Sequence, residues 1–168
     1  MAEVGCLKDG CFQNLQVEGT TIVNDLYLQS VAAPVLLPVT TPQTLVYGTH
    51  DGRTLVTGDA EETITIKLPT PTRAGQTFHF IYGGADVDAS DIVFRTLTED
   101  NSVVFKGAIQ WINNTGEVDN GTPVIAGANI EILTLTKQEA FDLHLISYSP
   151  TVWYIWGWVG SAGTPQFS

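Results

Sequence analysis

The chain has 168 residues, with 18 acidic against 7 basic side chains for a net charge of −11, and an apolar fraction of 43%. This suits one packed domain with an appendage and argues against global disorder. The basic residues are scattered singly rather than clustered, which excludes phosphate-backbone binding to nucleic acid. No run nears the roughly 20 apolar residues of a membrane helix, and MAEVGCLKDG lacks a basic-then-apolar leader, so we expect a cytosolically made protein with no membrane partner.

Residues 1–30 differ from the rest. Cys6 and Cys11, in CLKDGC, would close only a small loop, and a zinc site here would need distant His residues; the pair reads as reduced and locally packed. Phe12, Leu15, Val17, Ile22, Leu26 and Leu28 then fall in short alternating runs, broken at Glu18-Gly19 and Asn24-Asp25. Two or three small strands of this kind cannot bury a core alone and gain stability only against another surface. Pro34, Pro38 and Pro42 follow at intervals of four and impose an extended connector, made adhesive by Val35, Leu36, Leu37 and Val39. It is expected to lie along a partner or along its own domain. The resulting division is an arm and connector over 1–44, a domain over 45–160 and a tail over 161–168.

The domain reads as strand after strand. Residues 53–57 (RTLVT) precede a turn at Gly58-Asp59, and 63–68 (TITIKL) place Ile64, Ile66 and Leu68 on one face before Pro69 and Pro71 end the run. Residues 77–82 (TFHFIY) stop at Gly83-Gly84, 91–98 (DIVFRTLT) follow, and 102–113 (SVVFKGAIQWIN) should bend at Gly107. After a polar loop and a short run at 124–126, residues 129–136 (NIEILTLT) and 141–148 (FDLHLISY) are expected to pair around KQEA. The spacing, without a long amphipathic helix, predicts an all-β fold: an antiparallel β-sandwich, jelly-roll-like, with an extended N-terminal arm. Its closing strand, 151–159 (TVWYIWGWV), holds three of the four Trp. Tyr154, Trp156 and Trp158 share one face, and Trp153, Ile155 and Val159 the other. Burial of both faces is expected, inside the sandwich or between subunits, which makes Trp153, Trp156 and Trp158 candidates for an oligomer interface.

Catalytic chemistry is not expected. His50 precedes a turn, and His79 and His144 sit within strands; no nucleophile motif accompanies them, so all three read as structural. Asp86, Asp88 and Ser90 match the first three ligand positions of a calcium loop. Asp91 stands where Gly is needed, and Leu97 where a bidentate Glu is needed, so the cluster reads as a solvated turn. No catalytic residue, cofactor or metal ligand is assigned. Trp111, Asn113 and Asn114 are the best candidates for a sugar-binding platform.

The succession DGRTLVTGD, ITIKLPTPTRAGQTFHFIYGG, DIVFRT, FKGAIQWIN and the closing WYIWGWV, over about residues 45–160, resembles small virion proteins of tailed bacteriophages, especially phages of cyanobacteria. The opening NLQVEGTTIVNDLYL is similar to strands at the base of phage fibres. The resemblance implies a β-sandwich that decorates (cements) the capsid exterior, made in the host cytoplasm, commonly as a homotrimer bound to the major capsid protein. Phe12, Leu15, Val17, Ile22, Leu26, Leu28, Val35, Leu36 and Leu37 would then meet the capsid. A fibre or spike component contacting the host, and a carbohydrate-binding module, are the alternatives.

Overall fold

Side chains along a strand point alternately to opposite faces, and in this chain one set is apolar and the other polar in strand after strand. In a computed structural model, which describes residues 34–85, 89–98, 100, 102–115 and 121–168, that alternation builds two packed sheets with no helix among the described residues. The seven-stranded sheet contains β1 (Val35–Leu36), β3 (Thr54–Thr57), β5 (Thr77–Tyr82), β7 (Val104–Asn113), β8 (Thr122–Ile125), β10 (Gln138–Ser149) and β11 (Val152–Ser161). Its spatial order is β1-β3-β5-β10-β11-β7-β8. The five-stranded sheet contains β2 (Gln43–Thr44), β4 (Ile64–Leu68), β6 (Ile92–Thr96), β9 (Ile132–Leu135) and β12 (Gln166–Phe167), ordered β12-β9-β6-β4-β2. The all-β, sandwich-like expectation holds. Phe12, Leu15, Val17, Ile22, Leu26, Leu28, Cys6, Cys11, Asp86 and Asp88 lie outside the described residues.

The sheets are mixed rather than antiparallel. From β1 to β7 the chain changes sheet at every connection, so strands that become neighbours are two apart in sequence. β1 with β3, β3 with β5, β2 with β4, and β4 with β6 are therefore parallel pairs, as is β7 with β11. The expected hairpin around KQEA does not form. β9 pairs with β6 in one sheet while β10 begins in the other. Lys137, at φ 52, turns the chain between them. The left-handed region is one that a non-glycine residue adopts only under constraint.

Both ends of the described chain are woven in. Within the expected connector, Val35 and Leu36 pair with Leu55 and Val56, and the Leu37 amide donates to the Val56 carbonyl at 2.8 Å. Gln43 and Thr44 pair with Ile66 and Lys67. In the tail, β12 pairs with β9, and the Ser168 amide donates to the Ile132 carbonyl at 3.0 Å.

The core lies between the sheets. Ile64, Ile66, Leu68, Ile92, Phe94, Leu133 and Leu135 of one meet Phe78, Phe80, Phe105, Ile109, Phe141, Leu143, Leu145, Trp153, Ile155 and Val159 of the other. Phe80 meets Phe94 edge-on at 4.8 Å between centroids, and Phe94 meets Phe141 nearly perpendicularly at 6.2 Å. Trp153 is wholly buried, packs on Phe78 at 5.3 Å and donates its indole N–H to the Pro69 carbonyl at 3.2 Å. Pro69, the first of the two prolines that end β4, thus also supplies the acceptor that a buried indole requires. Trp153→Ala should cost about 3–5 kcal/mol by opening a large cavity, and Trp153→Phe, which keeps the ring volume in part, should cost less. Urea denaturation followed by circular dichroism measures both.

Candidate functional site

The core takes one face of β5, β10 and β11, and the other face is what the seven-stranded sheet shows to solvent. Phe78 and Phe80 point inward, so His79 and Ile81 point out. Phe141, Leu143 and Leu145 point inward, so Asp142, His144 and Ile146 point out. Trp153 and Ile155 point inward, so Tyr154, Trp156 and Trp158 point out. Register then decides which of these meet. His144 lies directly opposite His79 on one side and Trp156 on the other, and Thr54 lies opposite His79. Four strands therefore contribute one row, Thr54–His79–His144–Trp156.

The row is stacked. The His79 and His144 rings lie 4.2 Å apart and 6° from parallel, and the Trp156 ring follows at 5.3 Å and 12°. Tyr154 tilts against Trp156 at 6.4 Å. Asp142, two residues before His144 on the same face, places Oδ1 at 2.9 Å from His79 Nε2 and also 2.9 Å from His144 Nε2. Thr54 Oγ1 stands 3.1 Å from His79 Nδ1. The side chains of His79, Asp142 and His144 are about one-third exposed, at 31%, 38% and 39%. Their ligand-type atoms lie within 4.8 Å of one another, close enough to hold a metal ion. A shallow depression of about 280 Å³ adjoins them, lined by Arg53, Thr54, His79, His144 and Trp156 among others.

Close approach of the central strands depends on a glycine. Gly157 has φ +135, and a Cβ there would sit 2.0 Å from the Asp142 carbonyl oxygen. Gly107 behaves similarly on β7, with φ +112 and a Cβ position 2.1 Å from the Ile155 carbonyl oxygen, in keeping with the bend expected there.

The structure separates the candidate interface residues. Trp156 and Trp158 are exposed at 41% and 39%. Trp153 is a correction: it belongs to the core, because alternation puts it on the opposite face from the other two. Leu37 is likewise a core residue rather than a partner contact, while Val35 is half-buried in β1 and Leu36 is exposed. The expectation that β11 is covered on both faces holds within the chain for its inner face only. Trp111 is half-buried with its indole N–H given to the Ser161 carbonyl, and Asn114 donates to Glu139 at 2.6 Å; Asn113 accepts from the Thr115 amide and hydroxyl. These three residues serve the end of β7 and its loop and do not form an open platform. His50 accepts the Val46 amide in a turn, as a structural histidine would.

Sequence reading missed the His79–Asp142–His144 group. The one local sign was Asp142-x-His144, the spacing that puts two ligand-type side chains on one strand face. His79 joins them through a register set over more than sixty residues of chain.

No protein-family model matches the chain, and no curated protein matches it.

Gly157→Ala should destabilise the fold by more than about 1 kcal/mol, since Ala is strained at positive φ and its methyl group would strike β10. The same change should loosen the stack and weaken the near-ultraviolet circular dichroism of the Trp residues. Urea titration and near-ultraviolet spectra check the two effects.

Proposed function

We propose that the protein works by assembly, as a self-associating virion structural protein of the capsid-decoration type. The observation that carries this reading is the aromatic outer face of β11: Tyr154, Trp156 and Trp158 project from the outer face of the seven-stranded sheet, with Ile112, Ile125 and Tyr148 also exposed. Contiguous apolar surface of this kind is typical of interaction sites, and Trp and Tyr are the side chains enriched where interfaces concentrate their binding energy. Polar groups stand beside the aromatic residues, Asp142 on the β10 side opposite Trp158, and Lys106 and Gln110 on β7 opposite Tyr154 and Trp158 in the sheet register. An apolar centre with a polar rim is the usual anatomy of such a surface. The occupant proposed is a second and third copy of this chain, in line with the trimers implied by the virion-protein resemblance.

In this reading the arm makes the second attachment. Phe12, Leu15, Val17, Ile22, Leu26 and Leu28 bind the major capsid protein on the capsid exterior, and three arms acting together bind far more tightly than one. Leu36, exposed on β1, extends that contact. A fibre component would use the same aromatic face between subunits and differ in its partner. A carbohydrate-binding role draws support from one feature, an exposed Trp156 ring beside the hydrogen-bonding Asp142 and His144, the combination that sugar stacking needs.

Light scattering of the full chain at micromolar concentration should give a mass of several times 18.2 kDa. Trp156→Ala with Trp158→Ala should shift it to the monomer while the domain stays folded by circular dichroism, its melting temperature lowered only by the lost Trp156–His144 contact. A monomeric wild type overturns the assembly reading, and saturable glycan binding lost with Trp156→Ala replaces it with the carbohydrate one.

Deleting residues 1–33, just short of β1, should leave the circular dichroism spectrum of the sandwich intact and abolish co-sedimentation with capsids stripped of the native copy. Undiminished co-sedimentation would locate attachment in the sandwich instead.

A further inference from the structure

We propose that His79, Asp142 and His144 form a binding site for a divalent transition-metal ion of the zinc type, with a fourth position open to water or an added ligand. Three features converge on this. The first is the donor set. Two imidazoles and one carboxylate are the nitrogen and oxygen ligands that zinc accepts, and three protein ligands are what zinc sites with an open position present. The second is spacing. At metal–ligand bonds of about 2.0–2.2 Å, neighbouring ligand atoms lie about 2.9 Å apart at right angles and about 3.4 Å apart in a tetrahedron. Asp142 Oδ1 already stands 2.9 Å from both Nε2 atoms, distances that an ion would widen by a few tenths of an ångström. All three ligand atoms lie within 4.8 Å of one another, so the two Nε2 atoms need only turn toward a common point. The third is support behind the ligands. Thr54 Oγ1 lies against His79 Nδ1, the second hydrogen bond by which a metal-bound histidine is oriented, and Trp156 backs the His144 ring.

The rings are within 6° of parallel, so their lone pairs run side by side. A turn of one imidazole about χ2, a broad and soft torsion, makes them converge. Both side chains are partly exposed beside the open depression, so the stacked rings can open toward solvent to allow the turn without disturbing the core. Without an ion, each Nε2–H can donate to Asp142. With one, each Nε2 lone pair goes to the metal and the ring proton resides on Nδ1, where Thr54 accepts it on His79. The net charge of −11 raises the cation concentration near the surface. All three ligands come from one chain, so the site needs no assembly, although it adjoins the aromatic face assigned above to self-association.

The test uses the full chain with Cys6→Ser and Cys11→Ser, which removes the thiolates as competing ligands, after chelator treatment. Titration with Co²⁺ should produce visible d–d absorption saturating at one ion per chain, abolished by Zn²⁺, and Co²⁺ should quench Trp fluorescence. Asp142→Asn, His79→Ala and His144→Gln should each weaken binding by more than about 10-fold, and Thr54→Val by about 10-fold, the scale of a lost supporting contact. His50→Ala should change nothing. Circular dichroism identifies any variant that does not fold, in which case the remaining ligand variants carry the result. No saturable absorption in the parent chain, or binding unchanged in the folded ligand variants, overturns the proposal. The Trp158→Ala protein, which keeps Trp156 behind the His144 ring, should still bind the ion. An assembled wild type that binds no ion therefore sinks this site alone, and a monomeric one that binds it sinks only the assembly reading.

Discussion

Where β10 runs beside β11, the register from Phe141–Val159 to Ser147–Trp153 holds every pair in strict alternation, and the rest of the molecule is arranged around it. The pair lies at the centre of the larger sheet, with β5 on one flank and β7 on the other. Its inward side chains, Phe141, Leu143, Leu145, Trp153, Ile155 and Val159, make up much of that sheet's contribution to the core. A slip of β10 by one residue would send Phe141, Leu143 and Leu145 to solvent and bring Asp142 and His144 inside. Burying Asp142 and His144 away from their partners would be costly, so the register is specified from both faces at once.

That constraint explains the glycines. Gly157 and Gly107 sit where a side chain would strike the backbone of an adjacent strand, and each has a positive φ open to glycine. They let β10, β11 and β7 approach along a line that a regular strand of larger residues would not follow. Crossing between sheets does the complementary work at the periphery. Because β1, β3 and β5 are separated in sequence by strands of the other sheet, they can lie side by side in parallel, and Leu37 of the proline-rich segment finds a place in the core.

The outer face follows from the same alternation. Cross-strand neighbours on one face typically contribute about 0.2–1 kcal/mol per pair, with aromatic pairs at the upper end, so the Thr54–His79–His144–Trp156 row helps hold four strands together. It also leaves a planar indole beside two imidazoles and a carboxylate on open surface. Broad aromatic area and convergent polar atoms thus stand side by side on one face of the sheet.

The all-β class, most strand positions and the division of residues 151–159 into two faces were legible in the sequence, because strand periodicity and turn residues are local properties. So was the bend at Gly107. The face of that strand that becomes core was not legible: Trp153, Ile155 and Val159 on one side and Tyr154, Trp156 and Trp158 on the other are about equally apolar, and only packing against the five-stranded sheet distinguishes them. Pairing was not legible either. Residues 129–136 and 141–148 look like a hairpin, yet Lys137 sends them into different sheets, because the apolar faces of both strands are better buried against each other's sheet than side by side. The His79–Asp142–His144 group is the clearest case. Asp142 and His144 are two residues apart in the chain, but His79 reaches them only through the β5–β10 register, a long-range pairing fixed by how the whole core packs.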